Sequence, residues 1–124
     1  MYYRPTKHEL LTKLKSATLA LQEKRALFAN PSKVVGELSA LNIGDSSEVW
    51  NLILNLLKEI QPKDYKGKHP PERSYEKTIK GKELFAFLWW SPTLKKTMYL
   101  KFALIGGVFW YVSLHADKFS EEVK

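Results

Sequence analysis

His115, Tyr99, Lys101 and Ser113 are the residues of this 124-residue chain best able to do chemistry together. An imidazole and a phenol exchange protons, and an ammonium stabilises negative charge that develops beside them. The three histidines, His8, His69 and His115, lie far apart with no HxxxH spacing, and no carboxylates cluster near them, so no metal site is expected. Zero cysteines exclude disulfides, thiol catalysis and thiolate zinc sites. No GxxxxGK[ST], no GxGxxG after a strand and no GxSxG is present, so phosphate loops and nucleophile elbows are excluded and no cofactor is expected.

A metal-free cluster of His, Tyr and Lys does fit one reaction, the cleavage of RNA by its own 2′-hydroxyl. A base takes the 2′ proton, an acid protonates the departing 5′ oxygen, and cations stabilise the phosphorane. The net charge of +7 and a sequence pI near 9.5 favour such a polyanion as partner. The excess is uneven: residues 1–61 stand at +2 and residues 62–124 at +5.

The elements that must position these residues are legible in part. Thr6 and Glu9 form a capping box before Leu10, Leu14, Ala17 and Leu21 at helical spacing. Asn30-Pro31 starts a second helix along Val34, Val35, Leu38 and Leu41, closed by Asn42 and Gly44. A third begins at Asp45, carries Val49, Ile53, Leu56 and Ile60 on one face, and stops at Pro62. Residues 62–83, with seven Lys or Arg and the Pro70-Pro71 pair, read as an exposed basic loop with a short strand around Tyr75 to Ile79. From Leu84 the period becomes two. LFAFLWW is apolar on both faces, as a covered central strand is, and TMYLKFALI and VFWYVSLHA form a hairpin at Gly106-Gly107.

The hairpin register follows from pattern. A two-residue loop mixes polar and apolar sets, whereas a three-residue loop, Gly106-Gly107-Val108, pairs Ile105 with Phe109, Lys101 with Ser113 and Tyr99 with His115. One face then becomes apolar, for the helices, and the other carries Tyr99, Lys101, Tyr111, Ser113 and His115. The expected architecture is α+β: about three N-terminal helices packed on one face of a small, mainly antiparallel sheet. The whole is one domain, divided into 1–61 helical, 62–83 basic loop, 84–117 strands and 118–124 tail. No apolar run of about 18 residues and no leader-like stretch appears, so a cytoplasmic protein without membrane contact is expected.

WWSPTLKKTMYLKFALIGGVFWYVSLHADK, with the upstream Asp64-Tyr65-Lys66, resembles the MqsR branch of the RelE-type ribonuclease toxins. The shared features are Tyr99-Leu100-Lys101, Val112-Ser113, Pro92 and the helix before Asp64; only about 40 C-terminal residues carry the specific matches. The resemblance implies an RelE-like fold and a small toxin that cuts mRNA and is restrained by an antitoxin, with a homodimer left open. It maps the family's catalytic Lys to Lys66, its active-site Tyr to Tyr99 and its last-strand Lys to His115, while the family's Gln before the Pro falls at Phe87. Together the two readings give His115 as acid or base, Tyr99 as its partner and Lys66 and Lys101 on the phosphorane. Arg73, Lys77 and Lys96 would track the RNA backbone, with Tyr111 beside them. A non-catalytic nucleic-acid-binding module and a protein-interaction domain are the alternatives.

Overall fold

A computed structural model describes residues 3–117; the expected tail, 118–124, lies outside the described residues. The chain is α+β, with helices in its N-terminal half and most strands in the C-terminal half. The helices are α1 (Lys7–Gln22), α2 (Pro31–Ala40) and α3 (Ser46–Leu57), as their caps foretold. Thr6 accepts from Glu9 N, Asn30 from Lys33 N, and Asp45 from Ser47 N and Glu48 N, each occupying amides the first turn leaves free. Only half of the first capping box forms, because the Glu9 carboxylate turns to Arg4 instead. Asn42 ends the second helix in the left-handed conformation, φ 63°.

The strands are β1 (Ala26–Phe28), β2 (Phe85–Ser91), β3 (Lys96–Ile105) and β4 (Val108–Ala116), in the spatial order β1-β4-β3-β2. β1 joins β4 in parallel, while the other pairs are antiparallel. Two expectations are corrected here. LFAFLWW is an edge strand rather than a central one: its outer flank meets no further strand, but the isolated Tyr65–Phe87 bridge and a Leu84 amide bond to the Glu72 carbonyl. The expected strand around Tyr75 to Ile79 is a single 3-10 turn, Lys77–Ile79.

One face of the sheet carries the main core. Leu10, Leu14, Ala17 and Leu21 of α1 and Val49, Ile53 and Leu56 of α3 bury Phe85, Phe87, Trp89, Met98, Leu100, Phe102, Phe109, Tyr111 and Leu114. The other face holds a second, smaller core, which the sequence reading missed. Ile79 and Leu84, from the basic segment and its exit, cover Ala29, Ala103 and Val112, with Ile105 and Trp110 at the margin. Burying Ile79 contributes roughly 1.5–3 kcal/mol toward holding the segment down. The segment therefore covers the hairpin-turn end of the outer face and leaves the opposite end open. Among the described residues no helix is long and apolar enough to cross a membrane.

An ion-pair cluster fastens the same segment to the N-terminus. Arg4 bonds Glu83 at 2.7 Å and also pairs with Glu9. The Arg4 hydrogen bond holds the Glu83 carboxyl below its ordinary range. A depressed carboxyl contributes stability above its unfolded pKa, and that stability is lost as pH falls through the folded value. Glu83→Gln should therefore lower the melting temperature at pH 7, and the difference from wild type should shrink progressively as the pH falls below the ordinary carboxyl value of 4.5. A difference that persists unchanged into acid contradicts an ionic role.

Candidate nucleic-acid interface

Tyr99 and His115 are direct partners across β3 and β4, and their rings stack with centroids 5.1 Å apart and planes 25° from parallel. Both lie on the outer face, which the helices do not cover. Lys101, next along β3 on that face, holds its ammonium 5.8 Å from the Tyr99 ring centroid. His115 is exposed, and its Nδ1 lies 3.0 Å from the Ala116 carbonyl. A carbonyl only accepts, so in the neutral ring Nδ1 carries the proton and Nε2 keeps the lone pair. The pair thus presents a base nitrogen beside a phenol and a cation.

The register that brings them together arises differently from the expectation. Ile105 pairs with Val108 and Leu104 with Phe109, so the loop is the two-residue Gly106-Gly107, both with positive φ. The extra residue lies inside β4 instead: Phe102 pairs with Tyr111 but Lys101 with Ser113, leaving Val112 as a bulge. Beyond the bulge the expected pairs hold, Lys101 with Ser113 and Tyr99 with His115. Before it the faces are exchanged. Phe109 and Tyr111 enter the main core, and Trp110 and Val112 face outward into the smaller one.

That exchange removes Tyr111 from the site. Its side chain is fully buried, and its hydroxyl donates to Glu37 at 2.6 Å, so it has no surface on which a base can stack. Burial, reinforced by the Glu37 carboxylate, pushes the phenol well above its ordinary pKa. Ser113 Oγ donates to the same carboxylate at 2.6 Å, and the Leu114 amide donates to it at 3.1 Å. Glu37 thus occupies the edge of β4 beyond the last residue of β1, where an unpaired strand amide would otherwise be buried. Nothing in the apolar spacing around Glu37 signalled this, because its partners lie more than 70 residues away.

Lys66 is brought to the same region. Its amide donates to the Ala86 carbonyl at 2.8 Å, Tyr65 pairs with Phe87, and Ala86 pairs with Lys101. Tyr65 packs toward the main core, so alternation places Lys66 on the outer side, in one row with Ala86, Lys101 and Ser113. Lys66 and Lys101 are two strand spacings apart, roughly 10 Å. Arg73 is exposed and donates to the Gly81 carbonyl at 2.8 Å; with Lys33, Glu72 and Lys101 it borders a cleft of about 280 Å³. Lys77 is exposed on the 3-10 turn above the smaller core, away from the stacked pair. Lys96 is not brought to this face: it pairs with the buried Ser91, in the alternation set of Met98 and Leu100, which faces the helices.

Two residues of the face went unforeseen. Glu72 stands 3.7 Å from the Lys101 ammonium and offsets part of its charge. Trp90 is 57% exposed and pairs with Thr97, one step along the outer face from Leu88 and Tyr99. The doubled Trp89-Trp90 carried the signal, since two adjacent strand residues are both buried only when both faces are covered. His69 belongs elsewhere: it stacks on Tyr3 at 4.3 Å and meets the Arg4 carbonyl through Nδ1 at 3.0 Å. Among the described residues no group of three or more His, Asp or Glu side chains converges as metal ligands do. Comparison with protein-family models, with curated proteins and with solved structures finds no match to this chain.

Proposed function

We propose that the outer face around Tyr99 and His115 is the active site of a metal-independent endoribonuclease. The observation that carries this reading is the stacked pair of half-buried Tyr99 and exposed His115, with the His115 Nδ1 on the Ala116 carbonyl and Lys101 beside it. His115 Nε2 takes the proton of a ribose 2′-hydroxyl, and the freed oxygen attacks the adjacent phosphorus. The bond from phosphorus to the 5′ oxygen breaks, and the Tyr99 hydroxyl or water protonates that oxygen. The products are a 2′,3′-cyclic phosphate and a 5′-hydroxyl, with Lys101 and Lys66 offsetting charge on the phosphorane. The likeness to MqsR and RelE-type toxins extends the proposal to mRNA as substrate and to restraint by an antitoxin.

A second reading rests on the Lys101–Glu72 pair: a partly neutralised lysine beside stacked aromatics also suits a platform that binds nucleic acid without cutting it. One assay separates the two. RNA incubated with the protein and excess EDTA should yield fragments ending in a 2′,3′-cyclic phosphate. Retention on a gel with the RNA intact supports the platform, and no retention at low salt contradicts both. Glu72→Gln supplies a further check, because it frees the Lys101 ammonium for a phosphate. RNA binding by this variant should tighten at low salt, with a plot of log K against log salt steeper by roughly one unit. An unchanged slope would place Lys101 away from the phosphates.

A further inference from the structure

Trp90 has no role in the acid–base chemistry, and an indole exposed on an otherwise half-covered sheet face calls for a physical account. Of the four tryptophans Trp89 is buried and Trp50 and Trp110 are half-buried, which leaves Trp90 alone open to solvent at 57%. Its direction is set by alternation: Phe85, Phe87, Trp89 and Ser91 are buried on the helix side, so Leu88 and Trp90 face outward. Pairing places Leu88 opposite Tyr99 and Trp90 opposite Thr97, which makes Trp90 and Tyr99 diagonal neighbours. Trp90, Tyr99 and His115 thus form an oblique aromatic line across β2, β3 and β4, with Lys66 and Lys101 along one side. From His115 the indole is offset by two strand spacings and two residues, roughly 12 Å. That separation corresponds to between two and four nucleotides of single strand, given about 3.4 Å per stacked step and more for splayed bases.

We infer that Trp90 is a stacking subsite for a base two to four nucleotides from the scissile linkage, and that the substrate is single-stranded RNA long enough to reach it. The inference rests on the reading of the Tyr99–His115 face as the cleavage site. The face is basic, and the aromatic line is continuous with the acid–base pair, which favours a nucleic-acid strand over an apolar protein segment as occupant. Base stacking on an aromatic side chain is insensitive to base identity, so Trp90 contributes affinity and length preference rather than sequence choice.

The test compares a dinucleotide with a single-stranded RNA hexamer in wild type and Trp90→Ala. For the hexamer KM should rise roughly 5- to 100-fold with kcat unchanged, and the dinucleotide, too short to reach the indole, should be cleaved as by wild type. An all-deoxy hexamer, which is not cut, should quench wild-type tryptophan fluorescence and leave Trp90→Phe fluorescence nearly unchanged. A hexamer KM unmoved by Trp90→Ala overturns the subsite while leaving the cleavage reading intact, as does an equal loss on both substrates, which marks a structural role. If wild type cuts neither substrate, the cleavage reading falls and the fluorescence measurement alone decides the subsite: quenching upholds stacking, and its absence overturns it.

Discussion

Replacing His115 by Ala should lower kcat for RNA cleavage by roughly two to four orders of magnitude, the usual worth of a positioned acid–base group. The side chain is exposed and makes one hydrogen bond, to its neighbouring carbonyl, so its loss should leave the thermal unfolding curve near wild type. The Tyr99 ring loses its stacking partner but keeps the Lys101 ammonium beside it. Substrate affinity should therefore change far less than turnover. Added imidazole, which fits the space the ring vacates, should restore part of the rate. Full activity in the variant would remove His115 from the mechanism and leave the stacked pair as a binding surface.

The second large effect concerns Phe87, where the resembling family carries a Gln. Here Phe87 is fully buried on the helix side of β2, stacked on Phe102 at 5.9 Å and edge-on to Tyr65 at 5.8 Å. The outward positions on either side of it are Ala86 and Leu88, so a side chain at 87 does not reach the Tyr99–His115 face. Phe87→Gln removes a buried ring and leaves an amide among apolar side chains. The expected cost is about 3–5 kcal/mol, read from the denaturant midpoint at constant m-value, with no gain in cleavage. A loss below about 1 kcal/mol, or a rise in activity, would mean that position 87 lies on the reactive side after all.

The helices were legible because each announces itself locally. Thr6, Asn30 and Asp45 cap within three residues of themselves, and the apolar stripes behind them need no knowledge of the partner. The Tyr99–His115 pairing was legible for a different reason, since only one register keeps Lys101 and His115 out of the core. Where the odd residue falls was not legible. Gly106-Gly107 offers a loop that takes an extra residue comfortably, whereas the bulge at Val112 goes with the Glu37 carboxylate, supplied from the second helix to Tyr111, Ser113 and Leu114. β1 escaped notice because three residues are too few to show a period of two. Once β1 lies beside β4, the hairpin occupies the sheet interior and LFAFLWW is left at the edge with Trp90 exposed. The fold of the basic segment was hidden similarly: Ile79 is a single apolar residue among lysines, Leu84 reads as the first residue of the apolar run that follows, and their common partner, Val112, faces them only because of the bulge.

An oligonucleotide of DNA with one ribose at an internal position gives the most direct reading of whether the substrate supplies its own nucleophile to His115. Incubated with the protein in EDTA, it should be cut once, immediately 3′ of the ribose, while the all-DNA strand is bound and stays whole. Cleavage of the all-DNA strand, or survival of the ribose-containing one under conditions where it is bound, contradicts the account.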